Sequence, residues 1–359
     1  MRILRLFFIH AILLSIIDAF FRIPLTRHPT NRTRPYAYRG KFSRVTLGGW
    51  SENLSNFINY IYFGPIQLGT PPQTVTIDFD TGSDQFWTTC NCAAGDIVAF
   101  LRGEPNYCKS HRRIFNPNRS KTNRKTSSPF SVTYGIGYVQ GTVMFDRVCI
   151  PGVRHCSSAQ TRVGCASYTD SAFRNAPGDQ DSDGLMGLAY VYGTMGRSPI
   201  RSIFNRSNCK RKIFAFYLNN SGEKERSEMT LCGTDPAHHR GKIRFLKVAK
   251  SSYYWTLTLD RVYIRSRVAW ARSSSNAILI LAACVGCKCP NLTFSLNGHL
   301  FTLPGRYYVQ NCVFLIFPSS EFSRFPGLGA NWILGDAFLR RFYSVYDYAH
   351  GLVGLDVRA

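Results

Sequence analysis

Apolar and polar positions alternate with a period of two along most of the chain, in short runs broken by Gly, Pro and Asn. Such alternation predicts half-buried β-strands, and helical spacing is scarce. Val75 to Phe79 reads as a strand that runs into a tight turn at Asp80, Thr81, Gly82 and Ser83. Phe130 to Thr142 alternates and carries Gly135 and Gly137 at a turn, which predicts a β-hairpin. A second β-rich region opens at Phe214, and Tyr254 to Asp260 alternates as another strand. The fold class predicted is all-β, in two successive regions.

The amino terminus is different. Early arginines and an apolar run from Ile3 to Ile17 predict a signal peptide over residues 1–20. Asp18 ends that run short of the roughly 20 residues of a spanning helix, so membrane attachment is expected only through this segment, if it is uncleaved. Residues 21–55 form a basic, Pro-containing stretch that reads as a charged linker.

At 359 residues and 45% hydrophobic content the chain can bury a sizeable core. Its net charge of +23 invites a nucleic-acid reading, but Lys and Arg are scattered and no basic helical stripe or RNA-binding signature appears. No nucleic-acid partner is expected; anionic surfaces or acidic substrates suit the charge better. A secretory route makes the twelve cysteines disulfide partners and accommodates six Asn-x-Ser/Thr sequons, at Asn31, Asn53, Asn118, Asn205, Asn219 and Asn291. Cys90, Cys92, Cys108 and His111 offer four zinc ligands, but the Cys-x-Cys spacing and an oxidising compartment favour disulfides, so no metal or cofactor is expected. Cys284-Val285-Gly286-Cys287 lacks the βαβ context of a thioredoxin-like site.

The candidate chemistry sits at Asp80. A turn with Gly behind a carboxylate, and hydroxyls at Thr81 and Ser83 beside it, can hold that carboxylate oriented. The surrounding block YFGPIQLGTPPQTVTIDFDTGSDQFW, from Tyr62 to Trp87, closely resembles the first active-site region of pepsin-family aspartic proteases. That resemblance implies a bilobal pepsin-like fold, with lobes at 56–213 and 214–359, and a cleft that takes an extended peptide or protein substrate. It makes Asp80 the first of two catalytic aspartates, framed by Thr81, Gly82, Ser83 and Trp87, with Tyr134 and Gly135 in a mobile flap. Phe21 to Arg27 resembles the start of a pro-segment whose basic side chains lie over the active site. Asp183 to Tyr190 resembles the segment that supports the first active-site loop, and Leu231 to Pro236 a second-lobe turn. Trp332 to Asp347 resembles the family's closing block, its Asp336 in a structural turn; Cys289 and Cys312 correspond to a disulfide of the second lobe. The resemblance further implies a monomer that is secreted or held in an acidic vesicle of the secretory pathway.

One part is missing. Where the family has its second Asp-Thr-Gly, this chain reads Ala277-Ile278-Leu279-Ile280-Leu281, with Ile280 at the aspartate position. No Asp occurs between Asp260 and Asp336. Text matching the family resumes at Pro290, so the second lobe is expected to be shortened. Two facing carboxyls share one proton, one acting as base and the other as acid; a lone Asp near its ordinary value of about 3.9 cannot do both. The chain is therefore expected to lack peptidase activity. A skipped coding segment is the favoured cause. The alternatives are a non-catalytic module that binds peptides or proteins in the retained cleft, and a cationic surface-binding protein.

Overall fold

The structure, a computed structural model, describes residues 21–27, 62–90, 113–134, 137–152, 155–169, 182–191, 198–207, 209–219, 227–250, 252–271, 288–310, 313–314 and 332–359. Short strands dominate, as the alternation predicts. They begin with β1 (Phe21–Arg27), β2 (Tyr62–Leu68), β3 (Gln73–Asp80), β4 (Phe86–Thr89), β5 (Arg124–Tyr134), β6 (Gly137–Asp146), β7 (Val148–Cys149), β8 (Thr161–Thr169) and β9 (Gly184–Gly187). The C-terminal half adds β10 (Ile213–Tyr217), β11 (Ser227–Leu231), β12 (Arg244–Lys247), β13 (Leu259–Ile264), β14 (Arg267–Ala271), β15 (Leu292–Leu296), β16 (His299–Leu303), β17 (Val309–Gln310), β18 (Val313–Phe314), β19 (Phe342–Asp347) and β20 (Leu352–Val357). Three short helices, α1 (Pro199–Arg206), α2 (Gly305–Tyr308) and α3 (Asp336–Leu339), complete the described elements used below.

One large sheet runs in the order β12, β20, β19, β10, β11, β1, β2, β3, β9, β4, β8, β6, β5, with β7 attached to β2. The C-terminal half also builds a separate sheet from β14, β13, β15 and β16. The all-β, two-lobed architecture expected from the sequence is the one observed. β1 joins the halves: Phe21 to Leu25 pair with Leu231 to Ser227 of β11, and Thr26 and Arg27 pair with Phe63 and Tyr62 of β2. Ile23 and Leu25 are buried in the main core. The reading of this stretch as a linker is thus corrected for residues 21–27. Two alternating apolar residues are too few to signal a strand, and burial between two sheets supplies what periodicity does not.

Two further expectations are modified, and one, the use of Cys90 in a disulfide, is met. Tyr254 to Thr258 form no ladder; the strand begins at Leu259. Here Trp255 turns across to the N-terminal half instead, donating its indole N–H to the Leu188 carbonyl at 2.8 Å and packing on Tyr190 with ring centroids 4.9 Å apart. Cys90 is bonded to Cys165, so its sulfur is not a zinc thiolate; Cys92, Cys108 and His111 lie outside the described residues. Asn219 is buried and its side chain accepts from Arg358, which removes it as a glycan site. Disulfides also join Cys149 to Cys156 and Cys209 to Cys232. Cys289 is disulfide-bonded, while Cys312 lies outside the described residues, as do Cys284, Cys287 and Ile280. Among the described residues no helix is long and apolar enough to cross a membrane.

Candidate active site

β3 carries the candidate carboxylate to the end of a buried strand. Val75, Ile77 and Phe79 face the core, while Thr76, Asp78 and Asp80 share the other, half-buried face. The strand is held on both sides, antiparallel to β2 and parallel to β9, with Asp80 opposite Gly187. Asp183, just before β9, is buried; its carboxylate accepts the Thr76 N–H at 2.7 Å and the Arg113 N–H at 3.2 Å. It therefore fixes the segment leading into β9 against β3. Backbone bonds then close the turn: Leu188 N–H to the Asp80 carbonyl, Gly187 N–H to Gln85 and Ala189 N–H to Ser83.

This close packing dictates glycine at position 187. A Cβ there would lie 2.4 Å from the Ser83 carbonyl oxygen, and both partners are backbone. Gly82 sits in front, its N–H donating to Asp80 Oδ1 at 2.8 Å. The Ser83 hydroxyl faces the same carboxyl and helps favour its charged form, although it completes no hydrogen bond of ordinary geometry. Burial outweighs both and pushes the Asp80 carboxyl up from its ordinary range.

β5 and β6 form the expected hairpin, paired from Arg124 with Phe145 to Tyr134 with Gly137. Its tip, including Gly135, lies outside the described residues. The Tyr134 hydroxyl accepts the Trp87 indole N–H at 2.9 Å, which ties the hairpin to β4. Both side chains pack with Phe130, Val139 and Leu185 in a small cluster of their own. Burial, then the charge of Asp80, raises the Tyr134 hydroxyl far above its usual range, so it stays protonated. Tyr134, Trp87, Ser83 and Asp80 are therefore one neighbourhood.

The C-terminal half supplies groups that sequence reasoning missed. Tyr346 of β19 lies within reach of the Thr81 hydroxyl and feels Asp336; burial pushes its hydroxyl up to about 12. Tyr254 is raised by burial and by the charges of Asp80 and Asp84. Asp78 was also missed, although period-two alternation alone puts it on the Asp80 face. Burial raises its carboxyl well above the ordinary 3.8, and repulsion from Asp80 and then Asp336 raises it further. The arrangement is a carboxyl-rich floor under an aromatic hairpin. It can keep a proton on a carboxyl and hold a polar chain against Gly82 and Tyr134. Arg22, which the pro-segment resemblance would lay over the active site, instead binds Asp235 and Glu228.

The chain is similar in sequence to known proteins. The family model described as eukaryotic aspartyl protease matches residues 61–281 and again 280–357. Aspartic protease 3 of Caenorhabditis elegans is 30% identical over 348 residues, spanning 85% of this chain and 84% of its own length. Chymosin of Bos taurus is 30% identical over 345 residues, with 85% and 83% covered. Cathepsin E of Mus musculus is 28% identical over 396 residues, with 94% of each chain covered.

Proposed function

The chain belongs to the eukaryotic aspartyl protease family, and from that premise we propose that its cleft binds an extended peptide and that Asp80 supplies one half of an aspartic-endopeptidase mechanism. The observation that carries this reading is the position of Asp80: at the tip of β3, with the Gly82 N–H on its carboxyl and the Tyr134 and Trp87 pair beside it. In the working reaction a water is deprotonated by one carboxylate while the other carboxyl donates to the scissile carbonyl. Tyr134, on the hairpin, closes over the peptide and excludes water. Thr81, Gly82 and Ser83 keep the Asp80 carboxyl aimed, and Trp87 anchors Tyr134. Gly135, at the hairpin tip, gives the flap its freedom.

The same reading makes this particular chain incomplete. Ile280 stands at the second aspartate's position, and no Asp lies between 260 and 336. A lost segment is favoured by the family match, which comes in two stretches meeting at residues 280 and 281. The alignments point the same way. One that runs over 348 positions yet covers 85% of a 359-residue chain leaves some tens of relatives' positions facing gaps. Asp78 does not replace the partner in this scheme, because it projects beside Asp80 from the same strand and not from across the cleft. The protein enters the secretory pathway, consistent with its disulfides.

Purified protein of this sequence, incubated with a quenched fluorescent peptide across the acid range, is expected to give no cleavage. Turnover that disappears in Asp80→Ala would overturn the incompleteness. Reading the transcript between the codons for Leu279 and Pro290 then separates two origins. An exon encoding Asp-Thr-Gly or Asp-Ser-Gly restores the peptidase. An uninterrupted message leaves the second reading, a peptide-binding module that kept the Asp80 turn and the hairpin.

A further inference from the structure

The strand that ends in Asp80 carries a second carboxylate that the mechanism leaves unused. Asp78 and Asp80 share one face of β3, and alternate side chains on one face stand roughly 7 Å apart. Across the ladder, Asp78 lies level with Phe63 of β2 and Leu185 of β9, and level residues project to the same side of a sheet. Leu185 packs with Trp87 and Phe130 in the cluster that Tyr134 joins, apart from the main core that takes Ile77 and Phe79. Asp78 is therefore on the hairpin side of β3. It is half-buried there, and its charge, like that of Asp80, reaches the Tyr134 hydroxyl.

What sets Asp78 apart is how little holds it. Asp235 is paired with Arg22, Asp146 takes the Thr122 hydroxyl and the Asn123 amide, and Asp183 takes two backbone N–H groups. Among the described residues only the Phe79 N–H favours the charged form of Asp78, against burial, Asp80 and Asp336. The fold gains no contact from this carboxyl that would offset the cost of placing it there. One step from Asp80 and beside an apolar wall, it suits a positive charge brought in from outside.

We propose that Asp78 is a specificity-determining residue, selecting lysine or arginine at the one peptide position that lies over it, next to the bond presented to Asp80. This selectivity rests on the peptide-binding role proposed above for the Asp80 face. The bound ammonium or guanidinium supplies the counter-charge that β3 lacks, and the apolar side chains around Leu185 and Tyr134 take its aliphatic stem. An uncharged side chain of the same length gains the stem contacts alone and leaves the carboxyl unpaired. Asp80 and Asp336 also attract cations, but that attraction is spread over the floor and favours no single position.

The test uses the full chain and labelled apolar octapeptides in which a single lysine is moved through every position. Each is compared with the peptide carrying norleucine, which has the lysine stem without its charge, at the same place. Affinity is read by fluorescence anisotropy on the wild type, Asp78→Asn and Asp84→Asn. The expected result is a lysine preference of about tenfold at one position, lost in Asp78→Asn and kept in Asp84→Asn, with norleucine peptides bound equally by all three proteins. A preference of equal size at every position, or one that survives in Asp78→Asn, reflects diffuse attraction by the acidic floor and would overturn the proposal. So would norleucine binding that is lost in Asp78→Asn, which makes the residue a structural support. Binding with no lysine preference overturns the selectivity and leaves the cleft reading standing, whereas no binding of any peptide overturns both.

Discussion

Asp80 in the N-terminal half and Asp235 in the C-terminal half both follow a strand into a tight turn, and burial pushes both carboxyls upward. Their neighbours then drive them apart. At Asp80 only the Gly82 N–H and the Ser83 hydroxyl oppose burial, and the carboxyl stays raised. At Asp235 the Ala237 N–H at 3.0 Å, the Arg22 guanidinium at 2.9 Å and the charge of His238 together overcome it, so the carboxyl is held low. Both carboxyls accept from a backbone N–H, but only Asp235 is also gripped by cations. The difference follows from where each sits in the fold: Asp235 fastens β1 into the sheet that joins the halves, whereas Asp80 ends its strand beside Tyr134 and Ser83.

The two sites consequently respond to pH with opposite signs. A carboxyl held low contributes stability that is present above the ordinary 3.8 and is lost as pH falls through its lowered folded value. A raised carboxyl binds more protons folded than unfolded above 3.8, so its contribution worsens as pH climbs toward its folded value.

Breaking the backbone grip should have the largest effect. Gly187→Ala places a methyl 2.4 Å from the Ser83 carbonyl and 2.7 Å from the Asp84 nitrogen, and neither can move without dragging the Asp80 turn. A loss of about 3 kcal/mol in urea unfolding is expected, with little dependence on salt. A neutral Gly187→Ala would mean that β9 does not press on this turn.

Breaking the ionic grip should matter less. Arg22 is about half exposed, with 53% side-chain exposure, against 4% for Asp235, so solvent discounts the pair and Arg22→Ala should cost about 1 kcal/mol. This penalty should shrink in 1 M salt, and again as pH falls through the lowered value of Asp235. A penalty indifferent to both would assign the Arg22 effect to packing of its aliphatic stem.

How far these features were readable beforehand depends on their range. The β3 turn and the hairpin ending at Tyr134 are local, and alternation and glycine placement specify them, whereas the supporting role of Asp183 came only from the family resemblance. Pairing partners far apart in sequence are not specified that way. Nothing in Phe21 to Arg27 announces that it pairs with β11 some two hundred residues on, nor that Arg22 meets Asp235. Trp255 was read as part of a strand because alternation cannot distinguish a ladder from an extended segment tied down by one indole bond to Leu188. Asp78 is a third kind of case. Its face was legible from the alternation, but its burial beside Asp80 and Asp336 depends on packing from distant segments that alternation does not specify.

Asp78 also gives the smallest and most discriminating test of the comparison. Like Asp80 it is raised first by burial and then by carboxylate neighbours, with only the Phe79 N–H in opposition. Asp78→Asn keeps the shape and removes the ionisation. Below the ordinary 3.8 the two proteins should melt together, because the wild-type carboxyl is then neutral in both folded and unfolded states. As pH rises, the unfolded wild type gains a solvated charge that the folded state resists, so the variant should become the more stable by roughly 2–4 °C near neutrality. Asp78, raised further, is still neutral while Asp80 ionises, so the Asp80 carboxyl should titrate unchanged in the variant, readable by carboxyl NMR shifts. A variant less stable than wild type at every pH would show that Asp78 is held by an attractive contact. In that case the carboxyls on this face of β3, too, are gripped, and the contrast with Asp235 fails.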